Sequence, residues 1–170
     1  MTGAIKDWTA LYKEAYRVMK PGAWIEHFDC EVIPVCEDGT MPEDSAINQW
    51  GEIWSKVGKK TGLVFNMIES GCMENGVKEA GFVNIQVKDY VTPLSGWAAD
   101  AKMKELGVFQ HAWLMEDIEG FLNYFIGQLM GWSDKEMANY AARLRKEFRD
   151  LKIHSNFKWR LVLAQKPLDA

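Results

Sequence analysis

Several common signals of function are missing from this sequence, and each absence narrows what the chain can be. Three cysteines, Cys30, Cys36 and Cys72, are odd in number and show no CxxC or Cys/His ligand spacing. Neither a disulfide framework nor a zinc site is indicated, so the three read as buried thiols and no metal is expected. Charge of one sign is also scarce. The formal net charge is -4, and no run of like charges occurs, which excludes the electrostatic footprint of a nucleic-acid binder or of a protein held on an anionic membrane. No stretch approaches the roughly 18 consecutive apolar residues of a membrane span. The start, MTGAIKDW, lacks the basic and apolar regions of a signal peptide, so a cytoplasmic protein is expected. There is no internal repeat, no low-complexity tract and no linker long enough to divide the chain. The whole of 1–170 therefore reads as a single domain.

What is present is an aromatic load of eight Trp, eight Phe and five Tyr, with nine Met beside them. Such residues fill cores, and they also line pockets for bulky apolar ligands. Residues 5–19 place Trp8, Leu11, Tyr12, Ala15, Tyr16 and Met19 at three- and four-residue steps, the pattern of an amphipathic helix, and Lys20-Pro21-Gly22 stops it. The segment AWIEHFDCEVIPV, bounded by Gly22 and Pro34, reads as a strand over 22–33. Turn chemistry follows at Asp38-Gly39, with a helix cap at Asp44 or Ser45. Helices are expected at about 45–60 and 65–80, then an alternating strand in FVNIQVKDYV. From Trp97 to Asp150 the pattern is helical, broken at Gly107, Gly120 and Gly131-Trp132-Ser133, with Ser133 and Glu136 spaced as a capping box. A third strand, NFKWRLVLAQKP, closes the chain.

The run YRVMKPGAWIE entering a strand resembles the element that precedes the fifth strand of class I methyltransferases. EDGTMPEDSAINQW, VKEAGFVNIQVKDYVTPLSGW, KMKELG, MGWSDKEM and KIHSNFKWRLVLAQKP resemble, in order, later landmarks of the LaeA-like fungal members of that class. The resemblance covers essentially the whole chain. It implies an α/β, partial class I methyltransferase (Rossmann-like) fold. About three strands would carry a large helical cap in segments of about 36–80 and 97–150, with the strands in the spatial order fifth, seventh, sixth. It also implies that the chain corresponds to the C-terminal half. The glycine-rich cofactor turn and the acidic ribose ligand of such enzymes have no counterpart here, and no GxGxG occurs. The expectation is a protein that takes no S-adenosylmethionine cofactor by itself. Ala23 also stands where the family pattern has a second glycine.

Without the first half, the strand 22–33 would present an open edge, flanked by helix 5–19. Three outcomes stay open: a homodimer that buries the edge, a separate chain that supplies the missing half, or a fragment without function. Two functions are weighed. One is a cofactor-independent cyclase or isomerase of fungal secondary metabolism, of pericyclase type, acting on a polyketide or terpenoid intermediate. The other is a non-catalytic partner of a full-length methyltransferase, or half of a split one. For the enzyme, alternation sets His27 on one strand face with Asp29, an orienting pair for a general acid or base. His111 is a second catalytic candidate, and for both a structural role is the competing reading. Trp24, Phe28, Trp50, Trp54, Trp97, Phe109, Trp113 and Phe125 are the expected walls of an apolar substrate pocket. His154 reads as structural.

Overall fold

The computed structural model describes residues 1–169. Its elements run α1 (Trp8–Val18), β1 (Trp24–Cys30), α2 (Ala46–Thr61), α3 (Cys72–Glu79), β2 (Val83–Pro93), α4 (Ala101–Glu116), α5 (Ile118–Leu122), a π-helical segment (Asn123–Leu129), α6 (Asp134–Phe148) and β3 (Asn156–Gln165). Among the described residues the strands form one three-stranded sheet in the order β1-β3-β2. This is the fifth, seventh, sixth order that the family resemblance implies. The chain separates into two compact units, one made of Met1–Glu31, Gly62–Tyr90 and Lys158 onward, the other of Val32–Thr61 and Val91–Phe157.

In the first unit, Asp7 caps α1 by accepting the Ala10 N–H at 2.8 Å, and the helix turns Trp8 and Tyr12 inward. They join Met67, Met73, Val77, Phe82, Val162 and Ala164 in one core. The approach of α3 is close: a Cβ on Gly76 would sit 2.5 Å from the Tyr12 ring. As expected, the chain turns at Gly22, where φ is +79°, a conformation glycine adopts at no steric cost. Along β1 the burial alternates, with Trp24, Glu26 and Phe28 exposed and Ile25, His27 and Asp29 turned toward the core.

The pairing of β1 with β3 is antiparallel, Trp24 opposite Gln165 through Cys30 opposite Trp159. Lys166 donates to the Ala23 carbonyl and Glu31 to the Lys158 carbonyl, both at 2.9 Å. In an antiparallel ladder bonded and non-bonded pairs alternate, so residues 23, 25, 27, 29 and 31 spend their backbone groups on β3. Those of Trp24, Glu26, Phe28 and Cys30 point the other way. The Cys30 N–H is satisfied locally by the Asp29 carboxylate at 2.9 Å, and its carbonyl shares, at 2.9 Å, the Thr2 hydroxyl that also reaches Asp29. The edge at Trp24, Glu26 and Phe28 has no strand beside it among the described residues.

The helix expected over 65–80 is shorter than its pattern suggests. Residues 62–71 turn instead, with Gly62 and Gly71 at positive φ, and the buried Glu31 carboxylate accepts the N–H groups of Ile68 and Glu69 at 3.1 and 3.0 Å. A side chain thereby supplies the bonds that a continuing helix would have supplied.

In the second unit, α2 packs on α6. Ser45 caps α2 by accepting the Asn48 N–H at 3.0 Å. The expected capping box of Ser133 and Glu136 starts α6. The expected break at Gly107 does not occur: α4 runs through it unbroken. Gly107 is buried, and a Cβ there would lie 2.1 Å from the Ser95 carbonyl oxygen, so the residue permits close packing rather than ending the helix. The break comes at Asp117, whose carboxylate accepts the Gly120 N–H at 2.8 Å and opens α5. No helix among the described residues is long and apolar enough to cross a membrane.

Candidate functional site

His27 and Asp29 meet as the strand alternation requires, His27 Nε2 lying 3.4 Å from Asp29 Oδ2. The other ring nitrogen, Nδ1, is in a short hydrogen bond with the Tyr12 hydroxyl, and the Trp8 ring stacks on the imidazole at 4.9 Å. An ionised carboxylate only accepts, so Nε2 carries the proton toward Asp29, and in the neutral ring Nδ1 accepts the hydrogen bond of the Tyr12 hydroxyl. Thr2 Oγ1 at 2.6 Å and the terminal amine at 2.8 Å complete the carboxylate's shell. Burial alone would raise the Asp29 carboxyl, but the hydrogen bonds from His27, the amine, Thr2 and the Cys30 N–H outweigh it and hold it well below the usual carboxylate range. Burial, reinforced by nearby anionic groups, pushes the Tyr12 phenol far above its ordinary value. Both ring nitrogens of His27 are therefore occupied by protein, and the cluster binds α1 to β1.

The second candidate, His111, is placed differently. It lines a cleft of about 320 Å3 in the second unit with Ser95, Gly96, Lys104, Val108, Phe148, Arg149 and Leu151. Its Nε2 is buried with no hydrogen-bond partner. Nδ1 is neither buried nor bonded, so it is the nitrogen open to water. Burial, with a smaller contribution from the Arg149 charge, lowers the His111 pKa below its ordinary value, so the ring is neutral near pH 7.

The expected pocket-lining aromatics divide between the units. Trp24 and Phe28 lie on the outer face of β1, 48% and 51% exposed. There Phe28 stacks on Trp159 at 5.1 Å and meets Tyr90 edge-on at 5.8 Å. In the second unit Trp50 and Trp54 pack edge to face at 5.4 Å, and Trp54 meets Phe125 at 5.3 Å. Trp113 meets Phe121 at 5.3 Å, and Phe121 in turn meets Trp50 at 6.3 Å. Trp50 and Trp54 are buried in these contacts, whereas Trp113 is 55% exposed. Phe109 stands apart at 69% exposure. Trp97 covers the His154 ring at 4.5 Å and donates to the Ser155 carbonyl at 3.1 Å. His154 Nδ1 lies 2.5 Å from Asp38 Oδ2, and its backbone N–H reaches Thr40 Oγ1 at 2.9 Å. The contacts tie the 36–41 loop to the start of β3, the structural role expected of His154.

Lys104 and Arg149 were not singled out by sequence reasoning. Lys104, Val108 and His111 sit at i, i+4 and i+7 on α4, a spacing that shares one helix face and was legible. The approach of Arg149 from the end of α6 was not. Among the described residues no group of His, Cys, Asp and Glu could hold a metal ion. Among the described residues no strand runs into a helix through a glycine-rich turn.

A helix ended by Lys20-Pro21-Gly22, a strand on its heels and a sheet ordered β1-β3-β2 define the C-terminal part of a class I methyltransferase-type α/β fold. Comparison with known proteins narrows the class. The chain is 31% identical to methyltransferase pytC of Aspergillus terreus over 167 residues, which is 98% of this chain and 51% of that protein. It is 27% identical to the probable methyltransferase tdiE of Emericella nidulans, over 95% of this chain and 50% of that one. It is 26% identical to the secondary metabolism regulator laeA of Aspergillus fumigatus, over 98% of this chain and 44% of that protein. No protein-family model matches. The chain belongs to the LaeA-like fungal methyltransferase family, and it spans about half the length of the curated relatives it matches.

Proposed function

We propose that this chain is one half of a methyltransferase-type domain of fungal secondary metabolism, working when the complementary half pairs along β1. The open edge at Trp24, Glu26 and Phe28 carries the reading. An unpaired strand with an apolar flank is a template for another strand, and the matched relatives are about twice as long as the aligned region. The complementary half would bring the cofactor turn that these residues lack, and the chain itself would contribute the sheet edge and the helices α4 to α6. A second copy is a poorer occupant: two-fold pairing centred on Glu26 would set its carboxylate against its own copy, a destabilising cross-strand pair. The test mixes the chain with the first half of the Aspergillus terreus relative, made as a separate polypeptide. A one-to-one complex is expected, with the Trp24, Glu26 and Phe28 amides newly protected from hydrogen exchange. Glu26→Pro removes an N–H that β3 does not use, so it should abolish the complex without unfolding the chain. A chain that stays alone, or that sediments at twice its 19.5 kDa mass, counts against the reading.

A second reading is favoured by the His111 cleft: a cofactor-independent cyclase or isomerase of a polyketide or terpenoid intermediate. A neutral imidazole with one nitrogen open to a cleft can take or give a proton. Turnover of such an intermediate by the chain alone, reduced at least about tenfold in His111→Ala, would support it, and unchanged turnover in that variant would remove it.

A further inference from the structure

We propose that the cleft between α4 and the end of α6 is a binding site for a small carbonyl acid, a compound that presents a carboxylate or an enolate beside an apolar body. The proposal deepens the second reading above by naming the class of ligand, and it stands on its own geometry. The floor is set by α4, which at Gly107 packs against the Ser95 carbonyl so closely that no side chain fits between them. That approach fixes Ser95 and Gly96 beneath the face of α4 bearing Lys104, Val108 and His111. Phe148 and Leu151 form an apolar wall, and Arg149 stands between them in sequence.

Two features select the ligand. The first is charge: Lys104 and Arg149 both line the cleft, and among the described residues neither charged group is in an ion pair or a hydrogen bond. The cleft thus holds two cations and a neutral imidazole, with no acidic residue in its lining. An arginine fork and a lysine ammonium suit a planar carboxylate or the two oxygens of a β-dicarbonyl enolate. The second is the remainder of the lining. Val108, Phe148 and Leu151 offer apolar surface, and His111 Nδ1 is the neutral polar group able to bond a hydroxyl or carbonyl. About 320 Å3 of space lies at the small end of the range for ligand sites. A hydrocarbon chain without a charged end would leave both cations unpaired, so an acidic, oxygenated skeleton fits better than a terpenoid one.

The experiment titrates the full chain, labelled with 15N, with salicylate, 1,3-cyclohexanedione and the neutral amide salicylamide, following amide shifts. Saturable shifts confined to the cleft residues are expected with salicylate or the dione, and weaker or unsaturable ones with salicylamide. Salicylate alone would assign a carboxylate site, and the dione alone an enolate site. Lys104→Met and Arg149→Met should each weaken binding about fivefold, the scale of an ion pair in partial contact with water, and Arg149→Lys, which returns the charge without the fork, should restore part of the loss. Both positions are exposed, and the undisturbed spectrum of each free variant verifies its fold. Equal binding of the amide, unchanged affinity in both Met variants, or no saturable binding by either acid would overturn the proposal. Binding without turnover would leave the site standing and remove only the cyclase reading.

Discussion

The backbone of α4 at Gly107 passes the Ser95 carbonyl so closely that a Cβ would lie 2.1 Å from that oxygen and 3.0 Å from Pro93 Cβ. Backbone cannot yield as a flexible side chain can. Gly107→Ala should therefore push α4 off the 93–96 segment and cost about 2–3 kcal/mol, although alanine favours an isolated helix. Urea denaturation checks the value. A neutral or stabilising effect would mean that α4 does not sit on Ser95.

Gly107 also marks where the sequence stops being legible. A glycine inside a helical pattern reads as a break when only local propensity is available, and the contact that explains it comes from Ser95, twelve residues earlier. Elements set by local rules were readable: the stop at Gly22, the alternation that joins His27 to Asp29, the Ser133–Glu136 capping box, and the strand order that the family resemblance implies. Features made by chain segments distant in sequence were not. Tyr12 occupying the second nitrogen of His27, Glu31 holding the turn at Ile68 and Arg149 joining the face of Lys104 and His111 all depend on which groups the fold brings together.

Acid should weaken the first unit through Asp29. Its carboxyl is held below its unfolded value by the bonds from His27, Thr2 and the Cys30 N–H, against the opposing effect of burial. A group whose folded value is depressed contributes stability that is fully present above the unfolded value, about 3.9, and that is lost as pH falls toward the folded one. Stability should therefore decline below about pH 4.5. Asp29→Asn should be less stable at pH 7 and lose less on acidification. Denaturant midpoints measured between about pH 3 and 7 read the difference, and parallel pH profiles for the two proteins would show that Asp29 is not the group responsible.

Glu31 offers a test of the turn that replaces the expected helix over 65–71. One oxygen of its carboxylate, Oε2, accepts both the Ile68 and the Glu69 N–H, and the residue is 8% exposed. Glu31→Gln keeps a carbonyl oxygen of the same reach, so both N–H groups can still be satisfied, and the change loses only the added strength of a charged acceptor. Glu31→Ala leaves two shielded donors without a partner, at about 1–3 kcal/mol for each that water cannot reach. The expected order of stability is wild type, then Gln, then Ala, with the wider gap between Gln and Ala. Hydrogen exchange adds a local reading: the Ile68 and Glu69 amides should be protected in the wild type, partly protected in the Gln variant and open in the Ala variant. If the Gln and Ala variants lose the same stability and the same protection, charge rather than donor satisfaction holds the turn, and the account of why the helix begins only at Cys72 fails with it.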